Sequence, residues 1–245
     1  YFKRYTYNMG RHIKFDMKRI LVTGSKGLIG KKVIINLKKK YKVEGIDIKD
    51  GLDLNNELQV EKFFKKNNNF NVLINLHGAN EHVVSSKKDD FRLNKKFKND
   101  KSYFDYFFQN NVFSFYVTSK YFLKYCKKAE GIVNFSSIFG IRSPKHYIYE
   151  NPKNIFYVSS KFAVSGITKY FATMYGKKVN VNTIANHGIE WKQSKKFKKK
   201  LLSNIPKNRM MKVEDLYGIL DLLCSGKGNF INGSTIVIDG GYSSW

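Results

Sequence analysis

At 245 residues the chain is long enough to bury one substantial α/β core, and it contains no apolar run long enough to span a bilayer. Its 45 Lys and Arg against 19 Asp and Glu give a formal net charge of +26, which raises nucleic acid and anionic membrane as partners. Neither is expected: the arginines suited to bidentate phosphate recognition are only Arg4, Arg11, Arg19, Arg92, Arg142 and Arg209, and the lysines are scattered among many Asn, Ile, Phe and Tyr as a general bias of composition.

Residues 1–16 are basic and aromatic without the continuous apolar stretch of a secretory signal, so they read as an extension ahead of a domain over 17–245. RILVT at 19–23 is a short apolar run ending in a glycine turn, and KKVIINLKKK follows with helical spacing of Val33, Ile34 and Leu37. YKVEGIDI alternates as a second strand, NELQVEKFFKK reads as a helix, and NVLINL as the next strand. A long helix is expected over about 105–128, carrying Val112, Phe115, Tyr116, Phe122 and Leu123. GIVNFSS then reads as a strand, Tyr157 to about Tyr175 as a helix, VNVNTIA as a strand, DLYGILDLLCS as a helix and STIVIDGG as a last strand. Strands alternating with helices, with no repeat or linker, predict a single doubly wound domain: a parallel sheet with helices on both faces. Cys126 and Cys224 are too few and too far apart for a disulfide framework or a zinc site, so no metal is expected and the cytoplasm is the expected compartment.

TGSKGLIG places Gly24, Gly27 and Gly30 after a strand and at the opening of a helix. Glycines there allow a tight turn and close backbone approach to a pyrophosphate, and the helix N-terminus offers free N–H groups to it. Asp47 ends the second strand, where a carboxylate binds both ribose hydroxyls and repels a 2′-phosphate. The alternatives are an ordinary strand-to-helix turn and a solvated strand-end acid. Lys49 stands nearby as a cation able to receive a phosphate. Tyr157 and Lys161 are four residues apart on a helix and share a face. A phenol titrates near about pH 10, and an adjacent ammonium favours its phenolate, which brings it toward acid–base work at neutral pH.

Together these pieces resemble the short-chain dehydrogenase/reductase family over roughly 17–245: TGSKGLIG, the acid of GIDI, Asp53-Leu54, NLHGA, Asn111, NFSSIFG, YVSSK, NTIANHGI and STIVIDGGYSSW. The resemblance implies a Rossmann-type fold of about seven strands, a nicotinamide cofactor and interconversion of an alcohol and a carbonyl. It makes Tyr157 the general acid or base and Lys161 the group that binds the nicotinamide ribose and lowers the tyrosine pKa. Ser137 would hydrogen-bond the reacting oxygen, and Asn111 would hold a water linking Lys161 to solvent. A strand-end hydroxyl and a solvated helix residue are the plainer roles for these two. The implied cofactor contacts are Gly24, Ser25, Gly27, Leu28, Ile29, Gly30, Asp47, Asp53, Leu54, Asn75, Gly78, Tyr157, Lys161, Gly188 and Ile189. NAD(H) is favoured, with NADP(H) left open, and a homodimer or homotetramer is implied.

Four departures from the family pattern stand out. The middle glycine of the turn comes one position early, as in the branch that modifies sugar nucleotides. The usual Asn-Asn-Ala-Gly turn reads Asn75-Leu76-His77-Gly78, with an imidazole expected near the cofactor's adenine side, as a substituted turn residue more than a catalyst. The Pro-Gly after the penultimate strand is replaced by Asn186-His187. Ser137 and Tyr157 are separated by an enlarged loop, IRSPKHYIYENPKNIF, whose His146, Tyr147, Tyr149 and Glu150 are candidate contacts for sugar hydroxyls. That loop resembles a subgroup tied to surface-polysaccharide and flagellin-glycan pathways. WKQSKKFKKK falls where the family has its substrate lid; its Lys192, Lys195, Lys196, Lys198, Lys199 and Lys200 could attract a diphosphate or an acidic carrier protein, and a plain solvated helix is the equal alternative. The leading expectation is an NAD(H)-dependent oxidoreductase on a sugar-related substrate. Its alternatives are a 3-oxoacyl-carrier-protein reductase, which Asp47 argues against, and a non-catalytic cofactor-binding protein on the same fold.

Overall fold

The computed structural model describes residues 17–80, 99–149 and 153–245; the expected extension over 1–16 and the candidate contact Glu150 lie outside them. In chain order the elements are β1 (Arg19–Thr23), α1 (Leu28–Leu37), β2 (Lys42–Ile46), α2 (Glu57–Lys66), β3 (Val72–Asn75), α3 (Asp100–Phe108), a π-turn (Gln109–Phe113), α4 (Ser114–Tyr125), β4 (Gly131–Phe135), α5 (Ile155–Tyr175), β5 (Asn180–Asn186), α6 (Lys195–Leu202), α7 (Tyr217–Ser225) and β6 (Thr235–Ile238). All strands pair in parallel in the order β2-β1-β3-β4-β5-β6. The expectation of about seven strands is corrected to six among the described residues. Between β2 and α2 the chain makes only a short 3-10 turn at Ile48–Asp50, held by Asp47, so β2 remains an edge strand.

A parallel sheet buried on both faces needs apolar residues at successive positions, and β1 shows why. Leu21 turns toward the α2, α4 and α5 side, where Phe64, Phe122 and Phe171 fill the space. Ile20 and Val22 face the other way, onto Val33 and Leu37 of α1 and Leu220 of α7. The helices are set by local signals. Asn56 caps α2 by accepting from the Gln59 amide at 3.1 Å, and Asn154 caps α5 by accepting from Phe156 and Tyr157 at 2.9 and 3.1 Å.

The long helix expected over about 105–128 runs instead from Asp100 to Tyr125 and is interrupted by the π-turn. The extra residue rotates the face it presents: Asn111 and Phe115 are buried, whereas Phe113 and Tyr116 are 39% exposed. β1 and β3 are neighbours whose helices pass to opposite faces, so their C-terminal ends part and leave a crevice at the reversal of strand order.

Candidate active site

The turns after β1, β2, β3, β4 and β5, which carry most of the motifs, all lie at the carboxyl edge of this sheet. After β1 the chain turns at Gly24, whose φ of +66° is left-handed and whose absent Cβ would stand 2.7 Å from the His77 Cα. Only glycine meets both demands. Ser25 donates to the Ile46 carbonyl at 3.2 Å, which fastens the turn to β2. Gly27 caps α1, Leu28 and Ile29 open it, and Gly30 is buried in its first turn. No side chain accepts from the first amides of α1, and its first turn contains no acid. That uncapped, positive helix end in a glycine cradle fits a pyrophosphate.

Asp47 faces the same turn: Oδ2 accepts from the Lys26 amide at 2.9 Å and Oδ1 from the Lys49 amide at 3.1 Å. Each oxygen keeps a second lone pair for a ribose hydroxyl. The Lys26 ammonium is paired with Asp50, which neutralises the cation of the turn. Asp53 accepts from the Asn55 amide at 2.9 Å and starts the approach to α2, while Leu54 is buried in the core beneath α2 and α4.

Two expectations change in the turn after β3. Asn75 is fully buried and its amide donates to Asn134 at 2.9 Å and Ser119 at 3.1 Å. Asn134 in turn donates to Thr168, and Thr168 bonds Thr183. The Asn75 side chain therefore ties β3 to α4, β4, α5 and β5 and does not face the crevice. His77 is not directed at an adenine site. Its ring lies between Thr23 and Ser114, tilted on Phe115 at 4.6 Å, with burial and the Lys161 ammonium lowering its pKa to about 3.

Hydrogen bonds tie Asn111 to α5 beside Tyr157, and tie the turn that carries Ser137 to α5 at Lys161. Asn111 Nδ2 donates to Ser160 at 2.9 Å, and Ser160 donates to the Tyr157 carbonyl at 2.8 Å. Asn111 Oδ1 accepts from the Ala79 amide at 2.7 Å. Ser136 donates to the Lys161 carbonyl at 2.7 Å, which binds the turn after β4 to α5. Ser137 caps that turn by accepting from Phe139 at 3.2 Å, and its own O–H remains available as a donor. The half-buried Tyr157 ring packs edge-to-face on Phe107 at 5.8 Å. Lys161 is 7% exposed, donates to the Phe135 carbonyl at 3.3 Å, lies over Phe115, and has its pKa lowered by burial to about 8. The Asn111 carboxamide spends one N–H on Ser160 and one lone pair on Ala79, and keeps a second of each. Ser160, Ser136 and Thr23 escaped the sequence reading because short hydroxyl residues beside a motif carry no periodic or spacing signal.

After β5, Asn186 donates to the His187 carbonyl at 2.9 Å, Gly188 is exposed, and Ile189 bridges to Met211. His187 is buried against Tyr242, with ring centroids 4.8 Å apart. The described part of the enlarged loop packs on α6 and on the residues just after it. Asn204 accepts from Lys145 at 3.0 Å and Tyr147 at 2.8 Å, and Tyr149 meets Phe197 of α6 at 5.5 Å. His146 accepts from the Lys153 amide at 3.4 Å.

An uncapped helix end thus stands at the switch point of a parallel sheet, with a buried lysine one turn beyond a tyrosine. The family described as enoyl-(acyl carrier protein) reductase matches residues 31–243, and the chain belongs to the short-chain dehydrogenases/reductases. It is 31% identical over 134 residues to the post-translational flagellin modification protein A of Campylobacter coli, covering 52% of each chain. It is 30% identical over 141 residues to a 2-dehydro-3-deoxy-D-gluconate 5-dehydrogenase of Dickeya dadantii, covering 52% of this chain and 51% of that one. These alignments thus span about half the length of both relatives. In fold it is similar to a short-chain dehydrogenase of Leptospira borgpetersenii solved with bound NAD+, at a TM-score of 0.79 and 23% identity over 99% of this chain and 100% of that one.

Proposed function

We propose that this protein is an NAD(H)-dependent oxidoreductase that interconverts an alcohol and a carbonyl on a sugar-related substrate. The observation that carries the reading is the buried Lys161, one helical turn from Tyr157 and joined through Ser160, Asn111 and Ala79 to the switch-point crevice. Gly24, Ser25, Gly27, Leu28, Ile29 and Gly30 would hold the pyrophosphate, Asp47 the adenine ribose, Lys161 the nicotinamide ribose, and Gly78, Gly188 and Ile189 would border the ring. When bound, the nicotinamide supplies or accepts the hydride.

In the reducing direction negative charge grows on the substrate oxygen. The Ser137 and Tyr157 hydroxyls would donate hydrogen bonds to that oxygen, and Tyr157 would deliver its proton. The Lys161 ammonium lowers the cost of the resulting phenolate. A water held by Asn111 would link Lys161 to solvent and return the proton.

The sugar reading is supported by the gluconate-type relative and by the polar loop over 141–149 facing α6. Reduction of an acyl-carrier-protein thioester is the second reading, favoured by the family's description and by the lysines of α6. The apolar hollow of about 550 Å³ beside Phe108, Val112, Phe113 and Tyr116 is the proposed homo-oligomer contact. Two buried, unpaired cysteines suit the cytoplasm. The test is Tyr157→Phe. It should bind NADH as wild type does and lose about 10²- to 10⁴-fold in turnover on a panel of keto sugars. Full activity in that variant would end the proposed mechanism, and turnover by wild type on acyl thioesters alone would establish the second reading.

A further inference from the structure

His77 takes no part in the mechanism above, yet it lies between the two halves of the site, and its hydrogen bonds have a definite direction. Thr23 Oγ1 already accepts from the amides of Leu76 at 3.1 Å and His77 at 3.4 Å, which uses both of its lone pairs. Its one proton has two acceptors in reach, His77 Nδ1 at 2.6 Å and the Ile74 carbonyl at 3.3 Å, and the much shorter contact takes it. The imidazole proton then resides on Nε2 and is given to Ser114 Oγ at 2.8 Å. Ser114 passes its own proton to the Asn110 carbonyl at 2.9 Å.

The result is a one-way chain: Thr23 O–H to Nδ1, Nε2–H to Ser114, and Ser114 O–H to Asn110. Its first member ends β1 immediately before Gly24 of the phosphate turn. Its last is the residue before Asn111 in the π-turn, and the Ser114 amide itself closes that turn on Gln109. The His77 backbone also fills the space left by the missing Cβ of Gly24.

We propose that His77 is a positioning residue, a neutral Nε2–H imidazole that holds the π-turn in the register that sets Asn111 against Ala79 and Ser160, and so aligns the proton-relay side of the site with the phosphate turn. Its effect on turnover rests on the oxidoreductase reading; its effect on geometry does not. A protonated ring would direct Nδ1–H at an oxygen with no lone pair left, in keeping with its depressed basicity.

The test uses the full chain. ¹⁵N NMR of histidine should show His77 as the Nε2–H tautomer, without titration between about pH 5 and about pH 8. Hydrogen exchange is read at the Ala79 amide, which donates to Asn111. His77→Ala and Ser114→Ala should each speed that exchange about tenfold or more, with the core amides of Val22 and Val133 changed less than about threefold. In activity, kcat should fall about tenfold or more with the NADH KM nearly unchanged. His77→Gln, which keeps an N–H donor near the Nε2 position, should restore most of both.

An Nδ1–H tautomer overturns the proposal, as does unchanged Ala79 exchange in both variants. So does a uniform rise across Val22, Val133 and Ala79, which would mark general loosening. If wild type turns over no carbonyl with NADH, the proposed function fails while exchange at Ala79 still decides the role of His77. Thr23→Val, which removes the proton given to Nδ1, supplies the same exchange reading should His77→Ala fail to fold.

Discussion

Gly78 and Gly188 are both expected cofactor contacts, but the structure predicts opposite results from adding one methyl group to each. Gly78 has φ near +150°, and a Cβ there would stand 2.7 Å from Asn111 Oδ1 and 3.6 Å from Lys161 Nζ. A side chain in that backbone region costs about 1–3 kcal/mol. Clearing the overlap moves the Asn111 oxygen off the Ala79 amide, and leaving a buried amide unpaired costs about another 1–3 kcal/mol. Gly78→Ala should therefore lose about 2–6 kcal/mol, a large share of the about 5–15 kcal/mol that holds a domain folded. Displacement of the groups around Lys161 should lower kcat about 100-fold in whatever protein folds.

Gly188 has nothing within 4 Å of its Cβ position and does not have a positive φ. Gly188→Ala should gain about 0.4–1 kcal/mol by restricting the unfolded chain. Urea unfolding followed by circular dichroism reads both changes. A Gly78→Ala variant within about 0.5 kcal/mol of wild type, or a Gly188→Ala variant as unstable as Gly78→Ala, would refute the packing argument.

Lys161 gives a signed pH prediction, because burial holds its pKa at about 8 against the usual lysine value of about 10.4. Below about pH 8 both folded and unfolded chains keep the proton, whereas between about 8 and about 10.4 the unfolded chain binds more, so stability from this group rises with pH there. Thermal melts of the cofactor-free protein at pH 7.5 and 10 should show wild type gaining on Lys161→Met, and a constant difference between the two would contradict the assignment. Asp47→Ala leaves the Lys26 and Lys49 amides without their acceptor and removes the repulsion toward a 2′-phosphate. The ratio of NADP(H) to NAD(H) use should rise about tenfold or more, read from kcat/KM with each cofactor. Phe64→Ala empties the core between α2 and α4 and should cost about 3–5 kcal/mol by urea unfolding, with the cofactor preference untouched.

The alternation of strands and helices was legible because burial on both faces of a parallel sheet demands short apolar runs separated by amphipathic segments. RILVT and GIVNFSS became β1 and β4 within a residue or two for that reason. The strand count was less legible, since it came from the family likeness and not from the residues. The segment after Asp47 contains Gly51, Asp53, Asn55 and Asn56, which favour turns, and it forms no strand. The π-turn was invisible because Asn110 and Asn111 in an aromatic helix look like ordinary polar positions on a 3.6-residue wheel. Only tertiary bonds to Ala79, Ser160 and Asn55 show that the helix must change its pitch there.

The division among the site residues follows from the same physics. Groups whose backbone does the work, such as Gly24 and Gly27, can be located from sequence because a turn and a helix N-terminus have local signatures. Groups whose side chain does the work need the fold to say where the side chain goes. Asn75 and Asn111 illustrate this. Both carry the same carboxamide, both stand in family motifs, and both are fully buried. Asn75 sits within β3, where its alternation sends the amide between strands to Asn134. Asn111 sits where the π-turn rotates it toward the crevice turn, so its oxygen meets Ala79. A single-residue shift in helix register would exchange that contact for solvent or core, which is why the hydrogen bonds that fix the register, His77 to Ser114 foremost, are placed to govern the relay end of the site as much as its contacts with substrate.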